Sequence, residues 1–261
     1  MCASLAALSA QAAPPRDPCA AQTLYALTHA GLVPAGDDAP LVAQACRVWP
    51  YDTALELAAV AYALPDSGKP GERALRLVVA VLDADDARVL SSKVSELDED
   101  AGFALGEGGL LLDTARYDLV TGDRAFGVVV RSTARGPSCP DRRYNDALTL
   151  YLRDGDALRP VFETHLDFWA RVAGEPCSWT RDQSLVTEEA AFTIAVLPTL
   201  HHGLADLRVQ AEVVRLETGA GDDRDRTARR RETRTVRYDG RRYDTGVLEN
   251  GFFWHHDPED P

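Results

Sequence analysis

The chain lacks every short motif that marks a common catalytic or nucleotide-binding site. It holds no G-x-S-x-G elbow, no Walker loop, no H-E-x-x-H zinc motif and no G-x-G-x-x-G opening a helix. It also holds no C-x-x-C pair, which argues against a thioredoxin-like redox centre or a zinc knuckle. No apolar run approaches the roughly 18–20 residues of a transmembrane helix. These absences leave three classes of function: a binding protein, a structural protein, or an enzyme whose site is assembled from residues scattered along the chain.

Positive charge is scarce relative to negative charge. The 261 residues include 41 Asp and Glu against 28 Lys and Arg, for a formal net charge of −13. An acidic surface repels nucleic acid and anionic lipid, so neither is expected as a partner. The balance suits a cationic protein partner or a divalent cation.

The first residues carry an export signature. Residues 3–12 read ASLAALSAQA, which is small, apolar and uncharged, and they end in an A-x-A site. We interpret residues 1–12 as the remnant of a secretory signal peptide, which predicts a periplasmic or extracellular location. A lipid anchor on Cys2 is the alternative interpretation of this segment.

The other cysteines form an even set, Cys19, Cys46, Cys139 and Cys177. An oxidising compartment allows them to pair, and four cysteines permit three pairings. Closeness in sequence favours Cys19 with Cys46 and Cys139 with Cys177. The sequence does not choose among the three.

Two kinds of structure are expected along the chain. Leucines at helical spacing in residues 13–48 predict a small helical hairpin tied by Cys19 and Cys46. Residues 50–248 show ten to twelve short strands with turn signals between them, which predicts a mainly antiparallel β domain, either a sandwich or propeller-like. Within it, residues 75–82 read as a strand buried on both faces, and Asp154-Gly155 as a hairpin turn. The charged residues 217–231 are expected to form a long exposed loop, and residues 249–261 a flexible tail.

Metal-binding candidates are acidic turns rather than histidines. The adjacent pairs His201-His202 and His255-His256 lack the spacing of real metal sites, whereas His165 and Asp167 have i, i+2 spacing without a third ligand. Hard oxygen ligands on a flexible turn suit calcium. The turn with Asp83, Asp85 and Asp86 is therefore a calcium candidate, and calcium is the one cofactor that the sequence suggests.

Two groups of residues are candidates for contact with a protein partner. Trp169 and Trp179 flank Cys177, and a disulfide-pinned loop with two tryptophans could serve as a binding loop. The arginines Arg229, Arg230 and Arg231 stand in the predicted charged loop, where they could make an electrostatic contact.

Two segments of the second half resemble a known group of exported proteins. Residues 199–207 (TLHHGLADL) and 237–243 (RYDGRRY) look like the loops of β-propeller-like periplasmic lysozyme inhibitors and the immunity lipoproteins of secreted peptidoglycan hydrolases. In that group a D-x-x-x-D-G-x-x-D-L loop can hold calcium. Gly203, Asp206 and Leu207 fit this loop, so the resemblance adds Asp206 to the calcium candidates, whereas His201 and His202 stand where acidic ligands would.

The sequence therefore favours an exported, non-enzymatic binding protein that inhibits a cationic peptidoglycan hydrolase or gives immunity to it. Two other hypotheses stay open. One is an enzyme with a carboxylate-based site, because paired carboxylates are abundant. The other is an envelope assembly or structural component that docks through the N-terminal hairpin.

Overall fold

The computed structural model describes residues 18–34, 39–65, 67–174, 184–218 and 225–249. The predicted signal-peptide remnant, Cys2, Cys177, Trp179, and all but the first residue of the predicted tail lie outside these ranges. In the described residues the elements are α1 (Ala21–His29), β1 (Leu41–Val48), β2 (Leu55–Ala63), β3 (Ala74–Asp83), β4 (Val89–Asp98), β5 (Leu105–Val120), β6 (Asp123–Ser132), β7 (Arg142–Asp154), β8 (Ala157–Ala173), β9 (Leu185–His201), β10 (Leu204–Thr218), β11 (Arg226–Val236) and α2 (Gly246–Glu249).

These strands belong to one open, mainly antiparallel sheet, which confirms the predicted mainly β class. The order β1-β2-β3-β4-β8-β7-β6-β5 is extended from β8 through β9 and β10 to β11. Its one parallel contact among the described strands joins β4 to β8 at Ser92 and Ala157. Propeller blades are not shown by this arrangement. Among the described residues, no helix combines the length and the apolar character needed to cross a membrane.

The strands β2 and β3 are buried on both faces, as predicted for residues 75–82. One face, with Leu57 and Val79, packs toward Phe126 and Val128 of β6. The opposite face, with Val60, is covered by Leu27 of α1. The small side chains of β2 allow this close packing on both sides, because a β-strand presents alternate residues to its two faces.

The middle of the sheet divides two large cores. Alternate residues of β6 point into different clusters, so that Phe126 joins the core beneath β1–β3 and Val129 joins a second core with β9, β10 and the segment around Tyr243. Gly127 lies between them, where an added Cβ would come within 2.6 Å of Leu148 Cδ1. A larger residue at position 127 would therefore overpack the junction.

The N-terminal segment is not a helical hairpin. It forms the single helix α1, and residues 41–48 form β1, which pairs antiparallel with β2. The predicted Cys19–Cys46 disulfide is present, and it joins the start of α1 to β1. A short apolar segment such as 41–46 fits either a helix or a strand, and here the free edge of β2 decides in favour of the strand.

The charged segment 217–231 is not one long loop. Strand β10 continues to Thr218, and β11 pairs with it from Arg226 onward. An edge strand with one solvent-facing side tolerates many charges, and arginines there also oppose pairing with other chains. Cross-strand neighbours such as Glu212 and Arg231 add charge complementarity.

Candidate recognition site at the turn end

Five turns meet at one end of the sheet, here called the turn end. They are residues 49–54, 84–88, 121–122, 155–156 and 202–203, each following an odd-numbered strand. The amide of Ala84 donates to the Ala54 carbonyl at 2.8 Å, and the amide of Ser92 donates to the Asp156 carbonyl at 3.0 Å. In an up-and-down antiparallel sheet every second connection lies at the same end, which explains this convergence.

A cleft of about 760 Å³ opens at the turn end. Its lining comes from residues 49–55, from residues 116–124, from Arg153 at the end of β7, and from residues 197–205. This volume falls within the roughly 300–1,000 Å³ of small-molecule sites. The cleft is therefore large enough for a small ligand or for a protruding side chain of a partner.

Apolar side chains stand open to solvent at the mouth of the cleft. Tyr51 is 48 % exposed and Leu200 is 62 % exposed, and both line the cleft. The Arg124 guanidinium lies 3.8 Å from the centre of the Tyr51 ring, a cation–π contact that holds the ring in place. Large apolar groups held rigid on a surface are typical of recognition sites.

Two of the three arginines that line the cleft share one carboxylate. Asp118 accepts hydrogen bonds from Arg124 Nε at 2.5 Å and from Arg116 Nε at 2.6 Å. These two hydrogen bonds hold the pKa of Asp118 below its ordinary value. With two arginines on one carboxylate, the cluster keeps one net positive charge.

The third arginine is different. The Arg153 guanidinium is half-buried, and its Nε atom has no hydrogen-bond partner among the described residues. The indole Nε1 of Trp49, in the same lining, is likewise buried without a partner in that part of the chain. A buried donor without an acceptor costs roughly 1–3 kcal/mol, so two in one lining call for an explanation.

Beside the cleft, the Asp206 carboxylate contacts side chains at the β9–β10 turn. It is 2 % exposed, and its carboxylate accepts from Thr199 Oγ1 at 2.7 Å and lies 2.6 Å from His201 Nδ1. Both Asp206 oxygens thus fasten the β9–β10 turn.

The other calcium candidates also serve a turn. Asp83 Oδ1 accepts the Asp85 amide at 3.0 Å, and Asp86 Oδ1 accepts the Arg88 amide at 2.9 Å. The Arg88 guanidinium lies 3.6 Å from Asp83 and 3.8 Å from Asp86. Within the described ranges, no group of three or more His, Cys, Asp or Glu side chains is arranged to hold a metal ion.

The turn end is rich in aspartate. Exposed carboxylates stand on three of its turns or beside them, namely Asp52, Asp85, Asp154 and Asp156, and Asp52 also lines the cleft. Part of the overall negative charge therefore lies at the same end of the sheet as the exposed Tyr51 and Leu200.

The residues predicted to bind a partner lie elsewhere. Trp169 is on β8, with Arg143 at 5.8 Å from its ring, and Arg229–Arg231 are on β11. Arg230 donates to the fully buried Glu188 at 2.7 and 2.8 Å, so it stabilises the fold. None of these side chains lines the cleft.

Sequence reasoning missed the cleft residues Trp49, Tyr51 and Arg153. No short motif connects Trp49 with Arg153, which lies about a hundred positions later. Cys139 is disulfide-bonded, and its expected partner Cys177 lies outside the described residues.

No protein-family model, no curated protein and no solved structure matches this chain. The function is therefore argued from the geometry of the turn end.

Proposed function

We propose that the protein is an exported binding protein whose turn end docks on a cationic protein. The observation that carries the proposal is the pairing of exposed apolar side chains, Tyr51 and Leu200, with a surrounding set of exposed aspartates. A protein contact of this kind buries apolar anchors at its centre and keeps charges at its rim.

The charge of the protein indicates the charge of its partner. The net charge of −13 and the aspartate-rich turns attract a positively charged surface and speed its approach at low salt. Export agrees with the Cys19–Cys46 disulfide, because such bonds persist in oxidising compartments.

We further propose that the partner is a peptidoglycan hydrolase, which the protein inhibits or against which it gives immunity. The support is the resemblance of residues 199–207 and 237–243 to periplasmic lysozyme inhibitors, together with the expected location. The turn that carries residues 199–206 lies beside the cleft, so the resembling segment and the proposed docking surface are contiguous.

The test is lysis of peptidoglycan by a panel of cationic lysozyme-type hydrolases, with and without the protein. We expect stoichiometric inhibition of at least one hydrolase, weakening as salt rises, because Coulomb attraction between exposed groups is screened. Repeating the assay in calcium and in EDTA tests the calcium hypothesis, and loss of inhibition in EDTA would place an ion in the fold.

Matched double variants locate the surface. Asp85→Lys with Asp156→Lys reverses charges at the turn end, and Glu72→Lys with Asp98→Lys makes the same change at exposed positions of the opposite end. We expect the first pair to weaken inhibition at least tenfold and the second to leave it unchanged. Equal effects of the two pairs would contradict docking at the turn end, and no inhibition of any hydrolase would contradict the hydrolase assignment.

A further inference from the structure

We infer that a pocket between β7 and β8 binds a quaternary ammonium group through the rings of Tyr144 and His165 and the carboxylate of Glu163. The pocket has a volume of about 520 Å³, within the roughly 300–1,000 Å³ of small-molecule sites. Among the described residues, none lines both this pocket and the turn-end cleft. The inference therefore does not depend on the docking function proposed above.

The first argument is a group of three aromatic rings in mutual contact. The ring centres lie 5.6 Å apart for Tyr144 and His165, 5.3 Å for Tyr144 and Phe168, and 6.0 Å for His165 and Phe168. Phe168 is buried and packs against Phe192 at 4.6 Å, so it supports the other two rings from the core. Tyr144 is 43 % exposed and His165 is also exposed, so a ligand in the pocket can reach both rings.

The second argument is the charge of the pocket. Its described lining residues include one carboxylate, the exposed Glu163, and no lysine or arginine. The nearest arginines on β6 and β7 have other contacts. Arg131 donates to Asp146 from Nε and Nη2, each at 2.6 Å, and the Arg143 guanidinium lies 5.8 Å from the centre of the Trp169 ring. The pocket therefore presents negative charge beside aromatic faces, which attract cations.

The third argument is that His165 does not oppose a cation. Packing against the neighbouring rings withdraws water from the imidazole, and this desolvation lowers the pKa of His165 below its ordinary value. The ring is therefore neutral at neutral pH. Glu163 stands two positions before His165 on β8, so both project from the same face of the strand, roughly 7 Å apart along it. A cation between them would contact a carboxylate and a neutral ring.

The backbone of β7 is distorted next to Tyr144. In a regular strand, Tyr144 and Leu148 would lie on the same face, yet Leu148 is 1 % exposed and Tyr144 is 43 % exposed. Asp146, midway between them, has φ +53°, a left-handed conformation that residues other than glycine rarely adopt. Such strain persists where the surrounding structure maintains it, as the two hydrogen bonds from Arg131 do here, and it is concentrated at binding sites.

The lining favours a quaternary over a primary ammonium group. A primary ammonium is a compact, strongly hydrated charge, and it loses much of its hydration on entering a pocket with so many aromatic and apolar side chains. A trimethylammonium group spreads its charge over methyl groups, which pack against ring faces and against small side chains such as Ala147. A phosphate attached to the same ligand would be repelled by Glu163. The expected ligand is therefore a choline-like cation without a phosphate.

The test uses choline as the probe, 3,3-dimethyl-1-butanol as its uncharged match and ethanolamine as its unmethylated match. Binding is measured by NMR titration of the ring signals of Tyr144 and His165, identified by their loss in Tyr144→Leu and His165→Gln. We expect choline to bind and to shift both ring signals. Each match, and phosphocholine, should bind more weakly, by roughly fivefold or more.

Variants with matched controls locate the site. Tyr144→Leu should weaken choline binding by roughly tenfold, whereas Tyr144→Phe keeps the ring and should change it by less than about twofold. Glu163→Gln should weaken it by roughly three- to tenfold, since the attraction of one partly exposed charge is lost. Tyr25→Leu and Glu96→Gln make the same changes at exposed positions outside the pocket, and both should leave binding unchanged.

Several outcomes would overturn the inference. Equal affinity for 3,3-dimethyl-1-butanol would show apolar binding alone, and equal affinity for ethanolamine would show an ion pair without a contribution from the rings. Phosphocholine binding as tightly as choline or more tightly would show a headgroup site of a different charge. Undiminished binding by Tyr144→Leu, with the far-UV circular dichroism spectrum of the parent, would show that choline binds elsewhere, and no shift of either ring signal would show that the pocket does not bind it.

Discussion

Acid should weaken this fold through one buried carboxylate, Glu99. Its side chain is fully buried and accepts five hydrogen bonds, from Arg73 Nε and Nη2 and from the amides of Gly71, Arg73 and Leu105, at 2.8–3.3 Å. These contacts join the β2–β3 loop to the β4–β5 loop at the end opposite the cleft. Breaking these hydrogen bonds should therefore destabilise the β2–β3 loop and the β4–β5 loop together.

The shift in the pKa of Glu99 gives the size of the expected loss of stability in acid. Burial by itself would raise this pKa, but the hydrogen bonds from Arg73 and from the three amides outweigh it and lower the pKa from 4.5 to about 2. A pKa lowered in the folded state stabilises the protein above the unfolded value, and the stabilisation is lost as pH falls toward 2. The difference corresponds to about 3 kcal/mol at neutral pH, of which about 2 kcal/mol is lost between pH 6 and pH 3.

The assay is urea unfolding of the wild type, Glu99→Gln and Glu96→Gln, with disulfides intact, from pH 6 to pH 3. At pH 6 we expect Glu99→Gln to be less stable by about 3–5 kcal/mol, because Arg73 keeps a buried charge without its partner. The gap to wild type should narrow by about 2 kcal/mol at pH 3. Glu96 pairs with Arg76 at an exposed position, so Glu96→Gln should follow the wild type within about 0.5 kcal/mol.

The result that would refute this reasoning is a gap between wild type and Glu99→Gln that stays constant from pH 6 to pH 3. Glu99 would then be protonated in both states or in neither across that range. Its hydrogen bonds would not lower its pKa as the geometry requires.

Three further predictions concern stability. A double serine substitution at Cys19 and Cys46 should lower the free energy of unfolding by about 3–4 kcal/mol, because the disulfide closes a loop with a sequence separation of 27. The measurement is a thermal melt with and without reductant, in which reductant should not lower the stability of the variant further through this bond. Glu188→Gln should lower the free energy of unfolding in urea by about 3–5 kcal/mol, because the carboxylate is fully buried against Arg230. Glu212→Gln, its control at a half-exposed ion pair, should lower it by less than about 1 kcal/mol. Gly127→Ala should cost about 1–3 kcal/mol through overpacking, and an unchanged midpoint of unfolding would show that Leu148 can move aside.

Several features of the fold could be predicted from neighbouring residues. The continuous apolar run at 75–82 indicated a strand buried on both faces, and β3 is such a strand. Asp154-Gly155 indicated a hairpin turn, and Gly155 adopts φ +64° between β7 and β8, a conformation that glycine reaches without strain. The Cys19–Cys46 pairing was also favoured by sequence distance. Each of these depends on local patterning or local chain closure.

The errors fall where a segment obtains its structure from a distant partner. Residues 41–48 are a strand because β2 offers an edge, and residues 226–236 are a strand because β10 does, although their composition suggested a helix and a loop. Arg230, which the sequence suggests as a contact for a partner, also donates to the buried Glu188 of β9, and that contact could not be read from composition. Its role toward a partner stays a prediction. Composition carries no information about such pairings.

The amino-acid sequence by itself determined the mainly β character, the turns and the acidic charge, because alternation, turn chemistry and ionisation are properties of residues and their close neighbours. Only the tertiary structure decided that Trp49, Tyr51, Arg124, Arg153 and Leu200 line one cleft. These residues come from four separate parts of the chain, and the cleft exists because an up-and-down sheet returns every second turn to the same end. Strand pairing over long sequence separations, which no local pattern encodes, therefore created the candidate site.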